Sequence, residues 1–458
     1  MSFAVAEKSA QVDALFASWP GGMAPGVAVV IVQDGEVLHR GSYGLANLET
    51  GTAISSNTSF RLASITKQFT AMAVMMLCER GALEYDDPVS RFLPEFSTQV
   101  REITIRHLLW HTSGLQDYEE LFWESGEIVE DYPRASKQKQ NGFEPASKDA
   151  LKIMARHGLR FAPGDEWEYV NSGYVALAQI VERVSGKSFS QFLKERIFVP
   201  LGMNDSLLYD EARPEIPGRA ISYTVEGEIY REVDYTPLNL IYGQDGIYST
   251  ADDMVKWYRA LASDKLVAPS TLKKAFTSGK LNIGAKTGYG FGWFVGTSLG
   301  LSKVAHTGSW VGFRTFVVYY PEQKLAALVL CNFDQFDGAV RSAIACKLAK
   351  IYLSDKMSLP VAVNVEPQIL RQYVGEYELE RDCILNVTLE DDALWVKPSD
   401  LFPIKLVPES KVKFFVDEAE SDSYFFHKDY EGNIKSLTRH LSLFGYSRDA
   451  YGVARKVS

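Results

Sequence analysis

Cysteine, histidine and concentrated positive charge are all scarce in this chain of 458 residues. Only Cys78, Cys331, Cys346 and Cys383 occur, and none forms a Cys-x-x-Cys pair. That excludes a disulfide framework and a zinc knuckle, and reads as buried free thiols. The few histidines lack metal-ligand spacing, so no metal is expected, and nothing implies a cofactor. There are 48 basic residues against 58 acidic ones, a net charge of −10, with no dense Lys/Arg cluster. Nucleic acid is therefore an unsuitable partner, and the acidic balance serves solubility. No apolar run reaches the ~18 residues needed to span a bilayer. The N-terminus lacks a basic region followed by an apolar one. The chain is thus either cytoplasmic or exported with its signal removed. Whether it forms a homo-oligomer is left open by the sequence.

An apolar fraction of 46% is present, and the length suits two or three domains. The most apolar helical stretch runs from Phe69 to Cys78 and stops at Gly81, a good residue for a helix end. Ser64 and Lys67 stand at its start, on one helix face and about one turn apart. A hydroxyl beside an amine at the positive end of a buried helix suits nucleophilic catalysis. Ser-x-x-Lys is a cheap pattern, however. It recurs at Ser136/Lys139, Ser270/Lys273 and Ser410/Lys413, in polar or surface-helical surroundings. Only Ser64 opens a buried helix, so partners downstream must decide.

The order of elements gives the fold. Residues 6–18 read as an amphipathic helix. Val27–Val32 reads as a buried strand, turned at Asp34-Gly35 into a partner over 36–45. Asp86-Asp87-Pro88 reads as a helix start, and Thr104 begins another helix. Residues 116–147 are polar with scattered aromatics, among them Tyr118, Phe122, Trp123 and Tyr132. They read either as an irregular cap over a site or as a solvated excursion. Helices follow near 175–184, 189–197 and 252–262. Strands are expected from Tyr289 to Val295, Val304 to Ser309, Phe313 to Tyr320 and Lys324 to Asn332. A helix over 338–353 closes this region. The expected class is α/β (α+β), an antiparallel sheet built from both ends, flanked by helices, with an inserted helical lobe. The domain division is 1–357, a linker at 358–367, and 368–458. The last part reads as a small all-β barrel, with strands near 374–379, 385–389, 394–397, 413–416, 423–427 and 434–441.

Two further motifs single out Ser64. Tyr169-Val170-Asn171 is the only Tyr-x-Asn in the chain, and His306-Thr307-Gly308 lies on an expected strand. With Ser64-x-x-Lys67 they resemble, in order, the three motifs of the serine β-lactamase and penicillin-binding-protein superfamily. The class C-like branch, with its D-aminopeptidases, D-Ala-D-Ala carboxypeptidases and esterases, is the nearest resemblance. His107-Leu108-Leu109-Trp110-His111-Thr112-Ser113-Gly114-Leu115, Pro163-Gly164, Pro200-Leu201-Gly202-Met203 and Tyr289-Gly290-Phe291-Gly292-Trp293 extend it over about residues 20–350. Lys286-Thr287-Gly288 spells the usual third motif but precedes the Gly-Trp segment, so His306 is the better fit. The final barrel resembles the lipocalin-like modules appended to some D-aminopeptidases.

The resemblance implies acyl transfer to Ser64, with Lys67 or Tyr169 as base. Asn171 would orient Lys67 and the substrate amide. The backbone N–H groups of Ser64 and Ser309 would form the oxyanion hole, with Thr307 and Gly308 beside the substrate. His111 would be structural. Glu166 and Glu168 invite a role in deacylation, but turn carboxylates are usually solvated. The acidic run Asp417–Asp422 either receives a substrate amine or is a solvated hairpin tip. Histidine in the third motif is mostly neutral near pH 7, which disfavours substrates carrying a carboxylate there. Arg314 either replaces the missing cation or is a surface strand residue. Asp245 is expected at the pocket edge. The expected partner is a small-molecule or short-peptide acyl donor: a D-amino-acid amide, small D-peptide or ester. The alternatives are a carboxylesterase or transacylase, and a penicillin-binding protein with weak carboxypeptidase or β-lactamase activity.

Overall fold

The computed structural model describes residues 3–17, 19, 23–96, 102–128, 143–336, 338–380, 383–398, 403–416, 422–440 and 453–457. Tyr132, Ser136, Lys139 and the stretch Asp417–Ser421 lie outside the described residues. The chain divides into two compact units, Met1–Val295 with Lys303–Asp337, and Gly296–Ser302 with Gly338–Ser458.

An antiparallel sheet organises the first unit, with its Gly296–Ser302 stretch grouped with the second. Its strands are β1 (Val27–Gln33), β2 (Glu36–Tyr43), β3 (Phe294–Ser298), β4 (Leu301–Trp310), β5 (Phe313–Tyr320) and β6 (Leu325–Cys331). Their order across the sheet is β3-β4-β5-β6-β1-β2, so strands from both ends of the unit meet between β1 and β6. The β1–β2 hairpin is tight because Asp34 and Gly35 both take positive φ, the conformation that matches strand twist. Nearly every β1 residue is buried, which fits a continuous Val/Ile run covered on both faces. The run expected from Tyr289 becomes strand only at Phe294, since Gly292 turns the chain at φ +77.

Helix α1 (Phe3–Phe16) precedes the sheet, and α2 (Thr66–Glu79) is the buried helix. Every α2 residue from Thr66 to Leu77 is buried. Phe69 stacks on Trp257 at 4.0 Å, and full burial of such a side chain contributes about 1.5–3 kcal/mol. The helix ends at Arg80, and Gly81 follows at φ +67. Helices α3 (Ile105–Leu109), α4 (Tyr118–Glu124), α5 (Ser147–Arg156) and α6 (Ser172–Ser185) form the inserted helical part. Three local expectations change. Asp86-Asp87-Pro88 opens a 3₁₀ turn, Val89–Arg91, rather than a helix. The helix near 189–197 shortens to Phe189–Leu193 and continues as a π turn over Lys194–Phe198. The polar stretch after Gln116 contains α4, started by the Asp117 side chain, which accepts the Glu119 N–H.

The second unit holds a closed barrel of eight antiparallel strands and the helix Gly338–Leu353. Six barrel strands match the sequence expectation. The other two are Ile404–Pro408, a short run that ends in proline, and Val453–Lys456, whose four residues include Arg455 and Lys456, so neither gives a long alternation. The interior is packed with side chains such as Tyr373, Tyr377, Phe414, Tyr424 and Phe426. Phe414 and Phe426 meet edge to face at 5.5 Å. A barrel of this strand number is just wide enough to be filled in that way.

Candidate active site

The turn that carries Ser64 is fixed from below by the central sheet. Strand Ser59–Arg61 leads into a 3₁₀ turn, Ala63–Ile65, which runs into α2. Ala63 takes φ +51, so the backbone bends sharply just before Ser64. The Thr315 hydroxyl of β5 donates to the Leu62 carbonyl at 2.9 Å. Strand β4 passes so close that a Cβ on Gly308 would lie 2.4 Å from the Leu62 oxygen and 3.0 Å from Ala63 Cβ. Gly308 is therefore required for the third motif to reach the Ser64 turn. On the far side, Gly292 lies against α2, where a Cβ would stand 2.7 Å from the Lys67 carbonyl oxygen.

Ser64 is half-buried and Lys67 fully buried. Lys67 Nζ lies 3.0 Å from Ser64 Oγ, 2.8 Å from Asn171 Oδ1 and 3.1 Å from the Gln244 carbonyl oxygen. It also sits 4.8 Å from the centre of the Tyr169 ring, so all of Ser64, Lys67, Tyr169 and Asn171 converge. Burial lowers the Lys67 amine to about 7, against the pull of Asp245, Asp117 and Glu119. The proton count follows from the partners. Asn171 Oδ1 and the Gln244 carbonyl can only accept, so a neutral amine spends both N–H bonds on them. Its lone pair is then left facing the Ser64 hydroxyl.

The Tyr169–Asn171 loop is held by residues the sequence did not single out. The Asn171 N–H donates to Asp117 Oδ2 at 2.6 Å, and its side-chain Nδ2 donates to Glu119 Oε1 at 2.9 Å. Ser172 Oγ donates to the Gln116 carbonyl and accepts the Tyr118 N–H. Asp117 and Glu119 lie more than fifty residues before Asn171, so no spacing rule links them. The available signal was the helix-start pattern of Asp117 with acidic residues after it. Burial raises the Asp117 carboxyl. Burial and the Asp117 charge raise Glu119 to about 8.

His306, on β4, is fully buried. Its Nδ1 lies 2.6 Å from the Thr307 carbonyl, which can only accept, so Nδ1 carries the proton. Nε2 then accepts from the Tyr289 hydroxyl at 2.9 Å. Burial, with Lys67 nearby, lowers the imidazole to about 3, so His306 is uncharged. Lys286, by contrast, is exposed in a turn of its own. His111 is buried, with its ring 4.4 Å from Tyr169 and Nδ1 accepting the Val170 N–H. Glu168 bonds Arg160, and Glu166 is exposed. Ser270 and Lys273 are exposed on their own short helix.

Asp245 is not at the pocket edge. It is buried and accepts from Arg61 Nε at 2.9 Å, because a guanidinium enclosed between Tyr248 and Trp310 needs a counter-charge. A cleft of ≈ 390 Å³ is lined by Glu119, Tyr235, Ser309, Trp310, Arg314 and Asp334 among others. Arg314 donates through Nη1 to the Val311 and Phe313 carbonyls, so its guanidinium is anchored in the cleft wall. Among the described residues, no group of three His, Cys, Asp or Glu side chains could hold a metal ion. No described helix is long and apolar enough to cross a membrane.

The family model described as Beta-lactamase matches residues 12–347. Penicillin-binding protein 4* of Bacillus subtilis (strain 168) is 31% identical over 411 residues, covering 85% of this chain and 87% of that protein. A D-aminopeptidase of Gluconobacter oxydans (strain 621H) is 30% identical over 389 residues, covering 84% of this chain and 68% of that protein. The structure of an octameric penicillin-binding protein homologue from Pyrococcus abyssi shares the fold, with a TM-score of 0.63 and 24% identity. The match covers 98% of this chain and 100% of that one.

Proposed function

The chain belongs to the β-lactamase family, a family of serine hydrolases, and from that premise we propose that it acts through an acyl-enzyme on Ser64, on D-amino-acid amides, small D-peptides or esters. The observation that carries this reading is the contact of Lys67 Nζ with Ser64 Oγ at 3.0 Å, in a buried site that lowers the amine to about 7.

The steps follow from that contact. Neutral Lys67 takes the Ser64 proton as Oγ attacks the substrate carbonyl. The protonated Lys67 then returns that proton to the leaving group by way of Tyr169, whose ring centre lies 4.8 Å from Nζ: Tyr169 gives up its hydroxyl proton and takes the one held by Lys67, so both end as they began. The negative oxygen that forms is held by the N–H groups of Ser64 and Ser309. Asn171 keeps Lys67 in place, and Thr307 and Gly308 flank the substrate. Water then releases the acyl group.

The substrate class is supported by charge. His306 is neutral where a lysine would offer a fixed cation. Arg314 supplies a cation to the cleft, but Glu119 and Asp334 share its lining. A substrate carboxylate gains little there, while a neutral or amine-bearing acyl group fits. The D-aminopeptidase relative supports the amide reading. Assembly into a homo-oligomer is part of this reading too, checked by light scattering on the purified chain.

The test compares D-alanine p-nitroanilide with p-nitrophenyl butyrate, while intact mass spectrometry looks for an adduct on Ser64. Ser64→Ala should lower kcat/KM by roughly 10³-fold or more and remove the adduct. Hydrolysis of the ester alone would favour an esterase. Stoichiometric, unreleased labelling by a fluorescent penicillin would favour a weakly active penicillin-binding protein. Unchanged activity in Ser64→Ala would end the nucleophile assignment.

A further inference from the structure

Resting on the reading of Ser64 as nucleophile and Lys67 as its base, we propose that Glu119 is a positioning residue that holds the Asn171 amide with its oxygen towards Lys67, so that the amine's lone pair faces Ser64.

The argument begins with the polarity of an amide. Asn171 presents an acceptor on one side and a donor on the other, and a half-turn about its last bond exchanges them. Only one of the two orientations lets Lys67 serve as base. With Oδ1 towards Lys67, the amine gives an N–H to it and a second to the Gln244 carbonyl, and the lone pair faces Ser64 Oγ. With Nδ2 towards Lys67, the amide would donate to that lone pair and Ser64 would lose its proton acceptor. Glu119 Oε1 accepts from Asn171 Nδ2 at 2.9 Å, which selects the productive orientation. The Asn171 backbone N–H is held separately by Asp117, so the residue stays in place while Glu119 decides which way its amide points.

Charge pulls the other way: the Glu119 carboxylate favours the Lys67 ammonium, and burial opposes it. Glu119 faces Asp117 and Tyr118 from its own segment and Lys67 from α2, while Glu120 acts on Asp117. Glu120 is itself paired with Arg160. In the cleft that Glu119 lines stand Arg314, Asp334 and Tyr235. Asp245 also acts on Lys67. Two arrangements of Lys67 and Glu119 hold the same number of protons: ammonium with carboxylate, and amine with carboxylic acid. Burial disfavours the charged arrangement of both groups, lowering Lys67 and raising Glu119. A protonated Glu119 still accepts the Asn171 N–H, so the geometry survives the change. Acylation is then balanced: the Oγ–H bond breaks, its proton goes to the Lys67 lone pair, and Oγ bonds the substrate carbonyl carbon.

The test uses the full chain with p-nitrophenyl butyrate, following kcat/KM against pH and the Ser64 adduct by mass spectrometry. Glu119→Gln keeps an acceptor but holds no charge. Its acid limb should move to lower pH by about one unit, because a carboxylate no longer favours the ammonium. Glu119→Ala should show the same shift and also lose about tenfold or more in plateau kcat, since the amide is no longer held. Glu119→Gln should recover part of that loss. A merely structural glutamate would lower the plateau and leave the limb in place. An unmoved limb in both variants, or one moved to higher pH, overturns the proposal while leaving Ser64 as nucleophile. Absence of any Ser64 adduct in the unsubstituted protein overturns the nucleophile reading, and this proposal with it. Should Glu119→Ala not fold, as judged by thermal melting, the limb of Glu119→Gln alone decides.

Discussion

Burial and hydrogen-bond acceptors pull the Lys67 amine in opposite directions, and burial wins. Three acceptors and three carboxylates favour the ammonium, yet the amine falls to about 7. As the reaction needs the neutral form, kcat/KM should rise about tenfold per unit below this value and level above it. The sign follows from a lowered amine: protons bound below pH 7 inactivate it. His306→Gln should leave the midpoint of that limb in place whatever happens to its height, since the imidazole titrates only near 3. A limb that followed the His306 substitution would sink the assignment. At this scale the sequence was most informative where the candidate residues stand at short spacings. Ser64/Lys67, Tyr169/Asn171 and His306-Thr307-Gly308 were all legible. Asp117 and Glu119 were not, because they meet Asn171 only once α4 packs against the Tyr169–Asn171 loop.

Elements meet at the Ser64 turn with no room to spare. A Cβ at Gly308 would lie 2.3 Å from Thr315 Oγ1 as well as 2.4 Å from the Leu62 carbonyl. Gly308→Ala must therefore push β4 away from the turn or displace Thr315. The cost should be about 1–3 kcal/mol of stability. Acylation should slow by about 10²-fold, because β4 also carries the Ser309 N–H. The second-order rate of Ser64 labelling, with thermal melting alongside, reads both effects. Gly158→Ala is the matched control, since nothing lies within 4 Å of its added methyl. Equal slowing in both variants would contradict the packing argument. Elements with strong local signals were legible: the Asp34-Gly35 hairpin, α2 with Gly81 after it, and β4 to β6. Those set by tertiary context were not. Val89–Arg91 stays a single turn although Pro88 precedes it, and α4 is a helix of only 7 residues within a polar stretch, too short to show a helical period.

One hydrophobic core lies around α2 in the first unit, and one lies inside the barrel of the second. Every residue assigned to the chemistry lies in the first unit. The barrel interior is filled by rings and aliphatic side chains, so its stability rests on packing that a single truncation can open. Phe414 is fully buried there, against Tyr373 and Phe426. Phe414→Ala should cost the second unit about 3–5 kcal/mol. Unfolding would then cease to be a single transition, as expected when two cores melt separately. Calorimetry should resolve an early transition in the variant. Ser64 labelling, measured at a temperature between the two transitions, should persist at the rate of the parent protein. Loss of labelling in step with the early transition would mean that the site depends on the barrel. The architecture of alternating short strands made the barrel legible from sequence, whereas Ile404–Pro408 and Val453–Lys456 join it only because a closed sheet must pair its edges. Closure also sharpens the prediction. Phe414 sits on Lys413–Val416, hydrogen-bonded to the strands on both sides, so a cavity there loosens neighbouring pairs rather than fraying an edge.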